Sequence, residues 1–230
     1  MLDARPNVIL FDIDGTLITA HGAGGRAFTR ALRDEVGPDA ELTLTFAGGT
    51  DRGIARQGLE GAGVEASEEV VDRVLTTYIE YLLEAMKDTS KYTVFSGVVE
   101  MLDELHGRQG FAIGLGTGNI ERGARIKLAP AQLNGYFDFG GFGCDAEDRA
   151  DLIRIGATRG ATRLGAEFEQ CRVLVIGDTT RDVAAAQAIG AECLGVTTGG
   201  ASRDELMDCG ATACVNDLTD PSALRLVLGE

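Results

Sequence analysis

Three polar clusters, distant in the chain, share one setting: each follows directly on a short apolar run. The first is Asp12 and Asp14 in V-I-L-F-D-I-D-G-T-L (residues 8–17). The second is Thr117, Gly118 and Asn119 in G-L-G-T-G-N, and the third is Asp178 and Asp182 in G-D-T-T-R-D. Carboxylates on either side of Ile13 repel each other unless a cation lies between them. A divalent ion bound by carboxylate and carbonyl oxygens removes that conflict, and Mg²⁺ prefers such ligands. Asp12, Asp14, Asp178 and Asp182, in motifs that hold no His or Cys, therefore specify a hard cation, expected to be Mg²⁺. An acidic turn is the plain alternative for D-I-D-G-T, and the two later clusters count against it.

The run G-L-G-T-G-N has the look of a dinucleotide fingerprint but lacks the third glycine of G-x-G-x-x-G, and the chain carries no Walker lysine motif. A hydroxyl and an amide at a helix start suit phosphate oxygens. Thr117, Gly118 and Asn119, with the Thr16 hydroxyl beside the acidic pair, are therefore expected to contact phosphate and not a nucleotide.

These clusters must be positioned by regular elements. Residues 8–11 read as a strand buried on both faces. Further strands are expected at 111–115, 137–142, 172–176, 193–196 and 213–215, with helices at 98–105, 120–128, 148–164 and 183–189. That alternation predicts an α/β fold, a Rossmann-like parallel sheet covered by helices on both faces. Ligands in such folds bind outside the carboxyl ends of the strands, where all three clusters and the pair Thr197 and Thr198 fall.

Residues 20–91 break the rhythm. Ala27, Phe28, Ala31, Leu32 and Val36 fall at helical spacing, 50–59 reads as a second helix, and Ser67 caps a third. A crossover between parallel strands needs only one helix. Residues 20–91 are therefore expected to form an inserted α-helical cap, leaving residues 1–19 and 92–230 as the core domain. The segment F-A-G-G-T-D-R (46–52) is expected to face the site, bringing Thr50 and Arg52 to the substrate, Arg52 against its distal part.

The bulk properties narrow the partners. At 230 residues, 44% hydrophobic and 25% charged, the profile is that of a soluble globular protein. A formal net charge of −15 argues against nucleic acid or an anionic membrane as partner. A phosphorylated substrate must then be held by local cations. Five cysteines without a C-x-x-C pair, and no apolar leader or long apolar run, predict a reduced cytoplasmic protein. A monomer or weak homodimer is expected.

In this order and at strand ends, D-I-D-G-T, G-T-G-N and G-D-T-T-R-D resemble the haloacid dehalogenase superfamily. The helical stretch after the first strand resembles its phosphoglycolate phosphatase-like branch. The resemblance spans nearly the whole chain and implies a Mg²⁺-dependent phosphatase acting on a small phosphorylated metabolite. By position, Asp12 is implied as the nucleophile that forms an aspartyl-phosphate, and Asp14 as the general acid and base, its backbone carbonyl also on the metal. Asp178 is implied as a metal ligand with Asp182 supporting it, and Thr117 as a hydrogen-bond donor to the phosphoryl group. The chain departs from the family at its third motif, usually a lysine and often K-P-x-P. Arg149 in E-D-R-A-D-L is expected to take that role, with Arg154 and Lys127 as weaker candidates.

A phosphomutase of the β-phosphoglucomutase type is the nearest alternative, since it also needs Asp14. A dehalogenase would not carry the second Asp of D-x-D. A phosphonate hydrolase would need a Schiff-base lysine, and only Lys87 and Lys91 lie near the insertion. A non-catalytic phosphate-binding regulatory module would be expected to lose the motifs, of which three are intact.

Overall fold

The computed structural model describes residues 5–230; the first four residues of the expected core segment lie outside them. Strand β1 (Asn7–Phe11) is followed by β2 (Ile18–Thr19) and helices α1 (Ala23–Val36), α2 (Asp51–Gly61) and α3 (Glu68–Ala85). The chain continues as β3 (Thr93–Val94), α4 (Val98–Leu105), β4 (Phe111–Thr117), α5 (Glu121–Leu128) and β5 (Gly140–Phe142). It ends as α6 (Arg149–Arg163), β6 (Arg172–Gly177), α7 (Thr180–Ala188), β7 (Glu192–Val196), α8 (Arg203–Asp208), β8 (Ala213–Val215) and α9 (Pro221–Leu228).

Among the described residues, six strands pair in parallel in the order β5-β4-β1-β6-β7-β8. Counting only these strands in chain order gives 3-2-1-4-5-6, the doubly wound order whose direction reverses beside the first strand. β1 lies at that reversal between β4 and β6, with Phe11 opposite Leu115 and Ile176. Alternation across the pleat sends Ile9, Phe11, Leu115, Ile176 and Val196 to one face, where α4, α5 and α9 cover them through Leu102, Leu128 and Val227. Val8, Leu10, Val173 and Val175 point to the other, under Ile153, Ala157, Ala186 and Leu206 of α6, α7 and α8. Every residue of β1 is buried, as the continuous apolar run requires.

Helices α1, α2 and α3 bury a separate cluster that includes Phe28, Leu32, Leu59, Leu75, Tyr78 and Leu82. Thr50 and Ser67 cap α2 and α3, each accepting from a backbone N–H three residues on. The insertion leaves and rejoins the sheet through β2 and β3, a two-stranded antiparallel pair the sequence did not announce. The expected strand at 137–142 is shorter, because the 3₁₀ turn Leu133–Tyr136 and the extended Phe137 come first. No helix among the described residues is long and apolar enough to cross a membrane.

Candidate active site

Where β1 ends, Asp12 is 6% exposed and Asp14 turns outward, its side chain about half exposed. Gly15 follows at φ 88°, a left-handed conformation that a side chain would resist. A Cβ there would also lie 2.4 Å from an Asp178 carboxylate oxygen. The tight turn thus lets Asp178, from the end of β6, come up beside Asp12. The Thr16 hydroxyl donates to Asp178 Oδ1 at 3.0 Å, and that of Thr198 to the Gly15 carbonyl.

Asp182 comes from the first turn of α7, with no exposure at all. Its Oδ2 accepts from the backbone N–H and hydroxyl of Thr179, at 3.1 and 2.6 Å, in a reciprocal cap of that helix. Its Oδ1 accepts from Nε and Nη2 of Arg149, at 2.9 and 2.6 Å. Arg149 opens α6, just after the N-cap Asp148, and its Nη2 also stands 3.2 Å from Asp12 Oδ2. One buried guanidinium therefore bridges the carboxylate at the end of β1 and the one on α7.

Oxygens of Asp12, Asp178 and Asp182 lie within 4.8 Å of one another, all three residues buried. Burial pushes the Asp12 carboxyl up to about 6, with Asp182 and Asp14 adding to the rise against the pull of Arg149. Asp178 goes to about 8, first through burial and then through the charges of Asp12 and Asp182. Three carboxylates facing one arginine leave negative charge uncompensated, and an oxygen-liganded divalent cation fits that donor set. Asp182 already spends both oxygens on protein donors, so direct ligation suits Asp12 and Asp178 while Asp182 holds Arg149.

On the other flank, Thr117 ends β4 and its Oγ1 accepts from Asn119 Nδ2 at 2.9 Å. Asn119 Nδ2 also donates to Asp14 Oδ2 at 2.8 Å, and Asn119 Oδ1 accepts from Lys127 Nζ at 2.7 Å. Lys127 Nζ reaches Asp14 Oδ2 itself at 2.6 Å.

A cavity of about 360 Å³ joins these groups. Its floor holds Asp12, Asp14, Thr117, Gly118, Asn119, Arg149 and Asp178, and the insertion walls it with Phe28, Phe46, Ile54 and Tyr78. Phe28 meets Phe46 edge-on at 6.2 Å between centroids and Tyr78 at 4.6 Å. The seam between insertion and sheet is drawn tight: Asp51 N–H donates to the Gly118 carbonyl at 2.7 Å, and Asp51 Oδ2 accepts from Ile120 N–H at 2.9 Å. A Cβ on Gly118 would stand 2.0 Å from the Gly49 carbonyl oxygen, which only glycine permits.

Four expected substrate contacts have their polar groups engaged within the protein. Arg52 does not face the cavity; it points along the insertion into ion pairs with Glu68 and Asp72, because one residue turns the helix by about 100° from Asp51. Thr50 spends its hydroxyl on the Glu147 carbonyl at 3.0 Å and on capping α2. Thr16 is committed to Asp178. Asn119 lines the cavity, but both its amide protons go to Thr117 and Asp14. Among the candidates for the missing lysine, Arg154 is exposed and lies over the Phe168 ring at 5.5 Å, away from the cavity.

Asp51 is a cavity residue the sequence did not put forward, and Lys127, a weaker candidate for the missing lysine, lines the cavity bonded to Asp14 and Asn119. The signal for Lys127 lay in composition: 18 of the 21 basic residues are arginine, and of the three lysines only this one is buried. A compact ammonium fits where an arginine fork does not.

A family model described as haloacid dehalogenase-like hydrolase matches residues 6–190. A relative from Dickeya dadantii, "Probable phosphatase IndB", is 30% identical over 86% of this chain and 84% of its own length. A phosphoglycolate phosphatase from Pseudomonas putida is 28% identical over 84% of this chain and 70% of its own. The crystal structure of a hydrolase from Pseudomonas syringae superposes with a TM-score of 0.68 at 23% identity, over 94% of this chain and 95% of that one. With the family match running from the first strand to the end of α7, this chain belongs to the haloacid dehalogenase-like hydrolases.

Proposed function

We propose that this chain is a Mg²⁺-dependent phosphatase that hydrolyses a small phosphomonoester through an aspartyl-phosphate on Asp12. The observation that carries the proposal is the position of Asp12: buried at the strand end, open to the cavity, 3.2 Å from Arg149 and grouped with Asp178. Mg²⁺, held by Asp12, Asp178 and the Asp14 carbonyl, would screen the carboxylate nucleophile from the phosphate dianion. The other steps belong to this chain's own residues. An Asp12 oxygen attacks phosphorus; its O–P bond forms as the ester P–O bond breaks, and Asp14 gives its proton to the departing alkoxide. Arg149 and the Thr117 hydroxyl, which donates to no acceptor among the described residues, hold phosphoryl oxygens while charge shifts across them. Asp14 then takes a proton from water, whose oxygen attacks phosphorus and releases inorganic phosphate and free Asp12.

The insertion is proposed as the cap that excludes water and selects substrate. The two cations lining the cavity, Lys127 and Arg149, are both hydrogen-bonded to protein carboxylates. Most side chains of the remaining wall are aromatic or aliphatic (Ile18, Phe28, Phe46, Ile54, Tyr78, Phe95), beside Asp51 and the hydroxyls of Thr19, Thr179 and Thr198. These features support an ester with a largely apolar body more than one with a second anionic group.

The experiment is phosphate release from a panel of phosphomonoesters, 2-phosphoglycolate and aryl and alkyl phosphates included, with Mg²⁺ and then with chelator. Turnover dependent on Mg²⁺ is expected; full activity in excess chelator would refute the metal assignment. Transfer of the phosphoryl group to a sugar in preference to water would make the enzyme a mutase.

A further inference from the structure

We infer that Lys127 is a positioning residue for Asp14, fixing with Asn119 the carboxylate that serves as acid and base; this inference rests on the phosphatase reading above. Asp14 is the one member of the acidic group that is not buried, with nearly half its side chain accessible. A carboxylate so placed samples several rotamers unless something holds it. Here Oδ2 accepts from both Lys127 Nζ and Asn119 Nδ2, at 2.6 and 2.8 Å. Those two bonds leave Oδ1 as the oxygen available to the leaving group.

Lys127 is built for this one contact. It stands in the last turn of α5, and helical side chains lean towards the N-terminus of their helix, so its stem runs back towards the end of β4. There it is 6% exposed, a costly burial for an ammonium that its bonds to Asp14 and Asn119 offset. Its path passes beneath α1 at Gly24, where a Cβ would lie 3.1 Å from Lys127 Cε and 3.2 Å from Nζ. The insertion therefore closes directly over the lysine that orients the acid.

The test is dependence on the leaving group. An aryl phosphate such as 4-nitrophenyl phosphate departs without a proton, whereas a primary alkyl phosphate needs one from Asp14. Lys127→Met keeps the length of the stem and removes the charge. It is expected to lower kcat/KM for the alkyl ester by ~10²-fold, the scale of general acid catalysis, and to leave the aryl ester nearly unchanged. Gly24→Ala is the second variant: it leaves the charge in place, and its Cβ, 3.1 Å from Lys127 Cε and 3.2 Å from Nζ, crowds the lysine, so the same selective loss is expected. Equal losses in kcat/KM on both esters, or no loss in either variant, would overturn the inference; kcat also reports the shared step in which Asp14 activates water. Asp14→Asn, measured beside them, separates the two levels. A selective loss in Asp14→Asn without one in Lys127→Met removes only the role of Lys127. An unselective Asp14→Asn removes the acid role itself and this inference with it.

Discussion

Residue by residue, the site uses a few charges twice. Arg149 bridges Asp12 and Asp182, so its removal would take away the proposed phosphoryl contact and strand two buried carboxylates. Arg149→Ala is expected to lower kcat by ~10²–10³-fold, the usual cost of one lost transition-state donor, with a lower Tm as well. Arg149→Lys should recover part of the activity, because one ammonium can hold Asp12 or Asp182 but not fork between them. Arg154→Ala should change steady-state kinetics little, since Arg154 lies over Phe168 outside the cavity. The reverse ranking of Arg149→Ala and Arg154→Ala would refute the assignment. Asp12→Asn is expected to abolish turnover while leaving the thermal transition in place; near-normal phosphate release would exclude the covalent route.

At the level of elements, the first turn of α2 decides how the insertion meets the sheet. Asp51 is 6% exposed, and burial pushes its carboxyl up to about 6. Its oxygen satisfies the N–H of Ile120, ahead of α5. Asp51→Ala leaves that part-buried N–H without its side-chain partner, a penalty of at most ~1–3 kcal/mol, and loosens the seam beside Gly118. Denaturant unfolding should report the loss, and KM should rise; Asp51→Asn, which keeps an acceptor, should be milder on both measures. Arg52, one residue on, belongs to the surface network with Glu68 and Asp72. Arg52→Ala is accordingly expected to alter substrate preference very little, and a selective rise in KM for one ester would contradict that placement.

The whole molecule carries a pH signature of the acidic cluster. Asp12 and Asp178 rise from 3.8 to about 6 and about 8 on folding. Between those limits the folded, metal-free protein binds more protons than the unfolded chain, so stability falls as pH rises. The metal-free Tm should therefore decline from about pH 4 to about pH 8, and Mg²⁺ should raise it more at the alkaline end, where it competes with fewer protons. Asp178→Asn should flatten the decline; parallel Tm–pH profiles for variant and parent would show that the cluster is not its source.

Much of this protein was legible in the order of its residues. A buried parallel strand must be apolar throughout, so V-I-L-F identified β1, and carboxylates directly after it stood out for chemistry. The later motifs, each behind its own apolar run, located the other strand ends, and the cap at Ser67 fixed where α3 begins. Arg149 could be chosen because Ile153, one turn on, had to pack inward, and α6 holds to that spacing. What the sequence withheld depends on distances across the chain. The choice between Asp51 and Arg52, adjacent residues, follows from the angle at which α2 meets the loop after β4. Asn119 and Thr16 have the right groups for a substrate, but neighbours 105 and 162 residues away in sequence take up their hydrogen bonds. Lys127 reaches Asp14 only because α5 runs beneath Gly24 with its stem leaning back. Periodicity records which face of an element is buried; which polar atoms meet there is settled only when separate elements come together.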